Sequence, residues 1–195
     1  MPKRQDAHFQ KMAVETINFL LALATLAMQI ISIAFLVVFF LRNASASWRT
    51  DLEDVASFLR KWGLSLAFLF SLGGVILSLY YDSLGFSACG LCWWQRAFLY
   101  PQVVLFGFAL WKKDTGIADY SIALSIFGGT TALYQHYLQM GGGSLLPCPA
   151  TATEALDCGV RFFFEFGYIT FPLMSFTLFA FLIVLMLFIR GKDTQ

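Results

Sequence analysis

Two of the four cysteines, Cys89 and Cys92, stand three positions apart at the start of an apolar run. Two intervening residues let the sulfurs approach within disulfide distance on a turn or in a first helical turn. In that position the helix dipole and a nearby cation favour the thiolate, which is the reactive form. The pair is therefore suited to redox exchange. A structural disulfide and half of a zinc site remain open alternatives, because the same spacing is common in zinc sites.

Arg96 follows Cys92 by four residues. If a helix begins near Cys89, the side chains at positions 89, 92 and 96 lie on one helix face, with Arg96 one turn below Cys92. A guanidinium group keeps its proton, so at a membrane edge it needs an acceptor beside it, such as a thiolate or a carbonyl oxygen. We therefore expect the charge of Arg96 to act on this cysteine pair.

The composition indicates an integral membrane protein. Of the 195 residues, 58% are hydrophobic and 13% are charged, and the mean hydropathy is positive. Such a chain is too apolar for an ordinary soluble domain. Its net charge of +1, with basic residues scattered among the loops, gives no support for a nucleic-acid partner.

Five apolar runs are long enough to cross a bilayer, which takes about 20 residues of helix. We predict spans at residues 17–41, 62–81, 93–111, 120–139 and 168–189. The first run is longer than the roughly 7 to 15 apolar residues of a signal peptide, which disfavours cleavage after it. In the linker that follows, Thr50 to Leu59 predicts a short helix on the membrane surface. Gly73 and Gly74 in the second span predict close helix packing, although a flat ligand would also fit there.

The basic residues predict that the cysteine loops face outward. In that orientation the inner segments carry eight lysines and arginines and the outer segments five, which agrees with the positive-inside tendency. The eight inner residues are Arg42, Arg49, Arg60, Lys61, Lys112, Lys113, Arg190 and Lys192, and the five outer ones are Lys3, Arg4, Lys11, Arg96 and Arg161. Two cysteine pairs on one outer face are expected of a disulfide system in an oxidising compartment.

The second pair, Cys148 and Cys158, stands in a loop rich in Pro, Ala, Thr and Gly. A disulfide that closes this loop would stabilise it by about 2 to 3 kcal/mol, so a purely structural bond is one interpretation. Pro147 and Pro149 instead favour an extended, exposed segment around Cys148, which the groove of another protein could bind. A zinc site would need all four cysteines in a tetrahedral cage across two loops, which is the least favoured alternative.

From about Trp62 to Ile189 the chain resembles the disulfide bond formation protein B (DsbB) family, membrane thiol oxidoreductases that re-oxidise DsbA-like thioredoxin-fold proteins. The resemblance rests on Cys89 and Cys92 with Arg96, on Tyr134 to Gln139, on Cys148 and Cys158, and on the segment Phe166-Gly167-Tyr168-Ile169-Thr170-Phe171-Pro172-Leu173-Met174. The vitamin K epoxide reductase family does similar chemistry but places its Cys-x-x-Cys in a late helix.

The resemblance implies an all-α integral membrane protein with a four-helix DsbB-like bundle. Residues 62–195 would form this redox core. Residues 1–61 would add one N-terminal transmembrane helix and a polar linker, which makes five spans. The implied location is the bacterial inner membrane, with the cysteine loops on the extracytoplasmic side.

The resemblance also implies the path of the electrons. They would pass from a reduced DsbA-like partner to Cys148 and Cys158, then to Cys89 and Cys92, and then to a membrane quinone, either ubiquinone or menaquinone. Cys148 would form the mixed disulfide with the partner. Cys92 and Arg96 would contact the quinone, and Cys89 would close the disulfide again.

His136, near the outer end of the fourth span, is a candidate for quinone binding or proton delivery, although a lone histidine often has a structural role. Gln139, Gln95 and Gln135 are weaker candidates for the same site. A protein of another class remains as the alternative: a non-catalytic membrane scaffold or transporter subunit with two structural disulfides. Resistance of both disulfides to mild reductant would favour that alternative.

Overall fold

The protein is described here by a computed structural model, which describes residues 2–44, 46–86, 88–145, 148 and 157–190. These residues form six helices and, apart from one isolated bridge between Glu165 and Ile169, no β-structure. The helices are α1 (Pro2–Ala44), α2 (Ala46–Asp51), α3 (Glu53–Ser83), α4 (Gly90–Lys112), α5 (Ala118–Gln139) and α6 (Phe171–Arg190).

Three stretches of these helices are long and apolar enough to cross a membrane: Val14–Ala44, Glu53–Ser83 and Phe171–Arg190. Helices α4 and α5, with 23 and 22 residues, occupy the third and fourth predicted spans. The prediction of an all-α membrane protein is confirmed, whereas the number of five spans stays a prediction.

The connections between the long helices are short except between α5 and α6, where residues 140–170 intervene. The long helices alternate in direction, so one end of the bundle collects the cysteines. We call it the cysteine end, and it contains the C-terminal ends of α3 and α5 and the N-terminal ends of α4 and α6. At the opposite end, Arg42 pairs with Glu53 at 3.0 Å and Arg190 pairs with Asp119 at 3.0 Å. These ion pairs join α1 to α3 and α5 to α6. They lie at the end of the bundle that the distribution of basic residues predicts to face the inside of the cell.

Helix α6 is the centre of the bundle and packs against α5, α3 and α1. Leu182, Leu185 and Met186 are completely buried along it. Gly128 of α5 lies against the ring of Phe179, so close that an added side-chain carbon would come within 2.4 Å of the ring. Glycine is therefore needed at this position for α5 and α6 to approach each other.

The prediction of a separate surface helix over residues 50–59 is wrong. Helix α2 ends at Asp51 and α3 begins at Glu53, so the last seven of those residues are the first turns of the second long helix. Neither glycine nor proline interrupts the helix there, and Ala56 and Leu59 are completely buried in the bundle core. The apolar face that suggested a membrane-surface helix packs in part on protein.

The last helix begins three residues later than predicted, at Phe171 instead of residue 168. Phe166 and Gly167 have φ angles of 51° and 77°. These values belong to the left-handed region and are incompatible with a right-handed α-helix. The chain turns there, and the bridge between Glu165 and Ile169 closes the turn. This turn brings the loop of Cys158 back over the cysteine end.

Candidate redox site

Cys89 and Cys92 lie at the beginning of α4, as their spacing predicts. Cys89 is the N-cap residue, and its Sγ accepts a hydrogen bond from the backbone N–H of Cys92 at 3.4 Å. Both are free cysteines, with their sulfur atoms 2.8 Å apart. Since a disulfide bond is about 2.05 Å long, the pair needs only a small movement to exchange between its dithiol and disulfide forms.

Gln135 of α5 binds both sulfur atoms. Its Nε2 donates to Sγ of Cys89 at 3.1 Å and to Sγ of Cys92 at 3.2 Å. Its Oε1 accepts a hydrogen bond of 2.6 Å from Nε2 of Gln95, which fixes the orientation of the amide. Gln135 is only 2% exposed, so its donors are held against the sulfurs without competition from bulk water.

The two thiols are not equivalent. Cys89 shares a hydrogen bond with Cys92 and is 6% exposed, and this bond together with burial raises the pKa of the Cys89 thiol. The negative charge of a deprotonated pair therefore falls on Cys92. A helix N-terminus and the amide of Gln135 both favour a negative sulfur at that position.

Arg96 lies one turn below Cys92, but its guanidinium group is held by a carboxylate. Nη1 and Nη2 donate to the two carboxylate oxygens of Asp82 at 2.6 and 2.9 Å, in a bidentate pair. Nη2 also approaches the carbonyl oxygen of Ser78 at 3.5 Å, and the ring of Trp93 lies 5.0 Å from the guanidinium carbon. The acceptors that a buried arginine needs thus come mainly from the end of α3.

The second cysteine pair is closed. Cys148 and Cys158 form a disulfide with a Cα–Cα distance of 5.9 Å, so their sulfurs are bonded to each other instead of forming a shared zinc site. Cys158 is 1% exposed and lies in one buried cluster with Cys89 and Leu91. Cys148 is half-buried at the edge of this cluster. Pro147 and Pro149, on which the predicted extended segment depends, lie outside the described residues.

A small cleft of about 200 Å³ opens beside this disulfide. It is lined by Leu138, Gly142, Ser144, Cys148, Asp157, Cys158 and Gly159. Most of these side chains are small, and both cysteines of the disulfide border the cleft.

A larger cavity of about 460 Å³ lies on the other side of the Cys89–Cys92 pair. One end is polar and is formed by Cys89, Cys92, Arg96, Gln135 and Gln139. The remainder is mainly apolar and is formed by α1, α3 and α6, with Leu21, Met28, Leu69, Phe70, Leu77, Met174 and Leu178 among its lining residues. Pockets that bind organic ligands are typically concave and mostly apolar, with few polar groups.

The two adjacent glycines of α3 have different surroundings. A side-chain carbon added at Gly74 would come within 2.8 Å of Leu178, which fits the predicted close packing of helices. One added at Gly73 would meet no atom within 4 Å, and Gly73 lines the large cavity. Gly73 is exposed, and the space beside it is continuous with the cavity.

The structure brings most of the predicted site residues together and leaves one aside. All four cysteines meet in one cluster, and Cys92, Arg96 and Gln139 line the large cavity. Gln139 also donates to the carbonyl oxygen of Val160 at 3.0 Å. His136 is not among the residues that line the cavity, and its Nδ1 forms a 2.8 Å hydrogen bond with the hydroxyl of Thr170.

Sequence reasoning missed Asp82 and ranked Gln135 too low. Asp82 is 14 positions before Arg96, and only the antiparallel packing of α3 and α4 brings them together. A buried arginine does signal that a carboxylate partner exists somewhere in the chain. For Gln135 a weak signal is present, because it lies on the same face as Gln139, one turn away at the polar end of α5.

Comparisons with known proteins identify the family of this chain. The family model described as "Disulfide bond formation protein DsbB" matches residues 60–189. The chain is 30% identical over 122 residues to "Disulfide bond formation protein C" of Bacillus subtilis, which covers 60% of this chain and 85% of that protein. It is 36% identical over 118 residues to "Probable disulfide formation protein" of Chlamydia trachomatis, covering 60% and 84%.

A third relative is "SPbeta prophage-derived disulfide bond formation protein B" of Bacillus subtilis, 35% identical over 133 residues that cover 67% of this chain and 88% of that protein. No solved structure matched the chain. The family model covers two thirds of the chain and contains all four cysteines, which confirms the resemblance drawn from the motifs. The chain therefore belongs to the DsbB family of disulfide bond formation proteins.

Proposed function

We propose that this chain re-oxidises a DsbA-like thioredoxin-fold protein and passes the electrons through its two cysteine pairs to a membrane quinone, ubiquinone or menaquinone. The names of its relatives support a role in disulfide bond formation. One observation supports the relay above all: Cys158 and Cys89 lie in one buried cluster next to the large cavity. Thiol–disulfide exchange requires two sulfur atoms to come into contact, and the shared cluster brings these two residues close together.

Electrons enter at Cys148. Cys158 is 1% exposed whereas Cys148 is half-buried and lines the open cleft, so a partner thiolate reaches Cys148 first. Its attack forms a mixed disulfide with Cys148, breaks the Cys148–Cys158 bond and releases Cys158 as a thiolate. The second thiol of the partner then attacks its own bonded sulfur. The partner leaves as a disulfide, and Cys148 and Cys158 are both reduced.

The second exchange moves the same two electrons inward. The Cys158 thiolate attacks Cys89 of an oxidised Cys89–Cys92 pair, because these two residues share the buried cluster. That attack releases Cys92 as a thiolate, which the Gln135 amide and the helix N-terminus stabilise. Cys148 then attacks Cys158, which restores the outer disulfide and frees Cys89. The structure has this distribution, with Cys148 bonded to Cys158 and the other two cysteines free.

The large cavity fits a quinone by its shape and by the chemistry of its lining. Its polar end carries a thiol, a guanidinium group and amides, and its remainder is apolar and passes Gly73, where a flat group has space. When bound, a quinone supplies an acceptor for two electrons and two protons. Cys92 would present its thiolate to the quinone at the polar end of the cavity, and Cys89 would form the disulfide with Cys92 as the two electrons leave the pair.

Arg96 and Asp82 have different roles at the polar end of the cavity. Arg96 offers hydrogen-bond donors and positive charge toward a carbonyl oxygen, and Asp82 holds the guanidinium in place. His136 is outside the cavity lining and its Nδ1 is hydrogen-bonded to the Thr170 hydroxyl, so the geometry does not support direct contact between His136 and quinone. An Arg96→Ala variant should show a raised KM for quinone. Unchanged quinone kinetics in that variant would contradict the role of Arg96.

The location proposed for the protein is the bacterial inner membrane, with the cysteine end outside. The basic residues Arg42 and Arg190 at the opposite end support this orientation. The alternative of a scaffold with two structural disulfides requires Cys89 and Cys92 to be permanently bonded. Their place at the polar end of the cavity, beside the Gln135 amide, favours a redox role.

The proposed function is tested by an anaerobic assay that mixes the purified protein with a reduced thioredoxin-fold dithiol protein and a short-chain quinone. Quinone absorbance should fall with wild-type protein and stay constant with Cys92→Ser or without the dithiol protein. A lack of quinone consumption with several such partners and both quinone classes would overturn the proposal.

A further inference from the structure

We propose that α1 forms one wall of the quinone site and contacts the apolar tail of the bound quinone. This inference rests on the proposed function, because it takes a quinone as the ligand of the large cavity. Helix α1 lies wholly before residue 60, where the family match begins. Its part in the site is thus a property of this chain that the family match does not describe.

Helix α1 is docked on the bundle by specific contacts. Ala22 is completely buried in one cluster with Phe163 and Ile169 of the segment before α6 and with Leu173 in its first turn. The Gln29 amide donates to the Thr177 hydroxyl at 3.1 Å. Polar contacts of this kind between helices in a membrane fix one orientation of a helix, whereas lipid contact leaves its rotation free.

Two further hydrogen bonds set the depth of α1. The Tyr81 hydroxyl donates to the side-chain oxygen of Asn18, which places this part of α1 beside the last turn of α3 at the cysteine end. The Tyr168 hydroxyl donates to the Gln29 oxygen at 3.1 Å. Residues between Asn18 and Gln29 therefore run from the cysteine end toward the middle of the bundle.

Four residues of α1 line the cavity: Leu21, Ala24, Thr25 and Met28. Their spacing of i, i+3, i+4 and i+7 places them on one helix face. At 1.5 Å per residue, this face extends for about 10 Å along the cavity. Gly73 of α3 lines the same cavity.

The chemistry of this face fits a hydrocarbon tail better than a quinone ring. Three of the four side chains are apolar, and the Thr25 hydroxyl already donates to the carbonyl oxygen of Leu21 at 2.8 Å. The groups that can bind polar atoms of a ring come instead from α4 and α5, through Cys92, Arg96 and Gln135. Helix α1 thus closes the apolar part of the cavity, which would otherwise open directly to lipid.

A matched pair of substitutions tests this inference. Ala24 and Ala27 are both exposed residues of the same helix, but Ala24 lines the cavity and Ala27 does not. Ala24→Trp should raise the KM for a quinone with an isoprenoid tail about tenfold, the change expected when contact with about two methylene groups is lost. Ala27→Trp should leave this KM within about twofold of wild type, and Ala24→Leu provides a smaller substitution with the same direction of change.

The readouts separate this inference from the proposed function. A quinone without a tail should give the same KM in all variants. Without quinone, a reduced partner should reduce an oxidised Cys89–Cys92 pair at the same rate in all variants. Equal rates would show that the variants are folded. If wild-type protein consumes no quinone, the proposed function fails and this inference fails with it.

If wild-type protein consumes quinone but the Ala24 and Ala27 variants have equal KM values for the tailed quinone, the role of α1 alone is overturned. An equal rise in KM for the tailless quinone in Ala24→Trp would overturn the assignment of α1 to the tail.

Discussion

Replacing Gln135 by leucine removes the only side-chain amide that donates to both sulfurs of the Cys89–Cys92 pair in the described part of the chain. Leucine is of similar size, so the packing between α4 and α5 changes little. Gln95 keeps its hydrogen bond to the Leu91 carbonyl oxygen at 3.3 Å. The substitution thus tests whether the amide of Gln135 stabilises the thiolate that reduces quinone.

The size of the effect follows from the hydrogen bond to the charged sulfur. A hydrogen bond to a charged group contributes about 1.5 to 3 kcal/mol. Because each 1.36 kcal/mol changes an equilibrium tenfold, the fraction of Cys92 present as thiolate should fall roughly 10- to 150-fold, and the rate of the quinone step should fall with it. The buried position of Gln135, 2% exposed, keeps water from replacing the lost donor.

The assay mixes pre-reduced protein with quinone in a stopped-flow instrument and follows quinone absorbance over a single turnover. Gln102→Leu is the matched control, because Gln102 is equally buried in α4 but binds Ser121 and Ser125, away from the sulfurs. It should lower stability and leave the quinone step unchanged. A wild-type rate in folded Gln135→Leu, or an equal slowing in Gln102→Leu, would refute the role of Gln135.

Three further substitutions follow from the contacts. Asp82→Asn leaves the Arg96 guanidinium without its carboxylate; since Asp82 is one-third exposed, we expect a loss of about 1 to 3 kcal/mol in chemical unfolding, less than for a fully buried pair. Gly128→Ala forces a carbon against the Phe179 ring and should cost about 1 to 3 kcal/mol in the same measurement; an unchanged unfolding midpoint would contradict the packing. Cys148→Ala should abolish turnover with the dithiol partner while quinone still oxidises the inner pair, and retained turnover would exclude Cys148 as the entry point.

The overall fold could be predicted from the sequence because long hydrophobic runs indicate membrane-spanning helices. Residues 17–41 lie within α1, and the start of α4 follows from the cysteine spacing. The predicted start of α3 was wrong because the burial of Ala56 and Leu59 depends on which helices pack around them. The predicted start of α6 was wrong because the chain turns at Phe166 and Gly167, whose positive φ angles belong to the loop that carries Cys158.

The site could be predicted where residues lie close in sequence, and much less where they meet through packing. The Cys89–Cys92 pair and Arg96 share one helix, so spacing alone places them together. Asp82 reaches Arg96 only because α3 and α4 are antiparallel. Likewise, the choice between Gln135 and His136 depends on the rotation of α5, which turns the amide to the sulfurs and the imidazole to Thr170.

The central claim is that electrons from a dithiol protein reach quinone through both cysteine pairs in sequence. The most direct test counts alkylated cysteines by mass spectrometry in quinone-depleted protein that has been fully reduced by its partner and freed from it. The account predicts four alkylated cysteines before quinone is added. One equivalent of quinone should leave two, at Cys89 and Cys92 or at Cys148 and Cys158 after internal exchange, and a second equivalent should leave none. Four alkylated cysteines that persist after excess quinone would contradict the account.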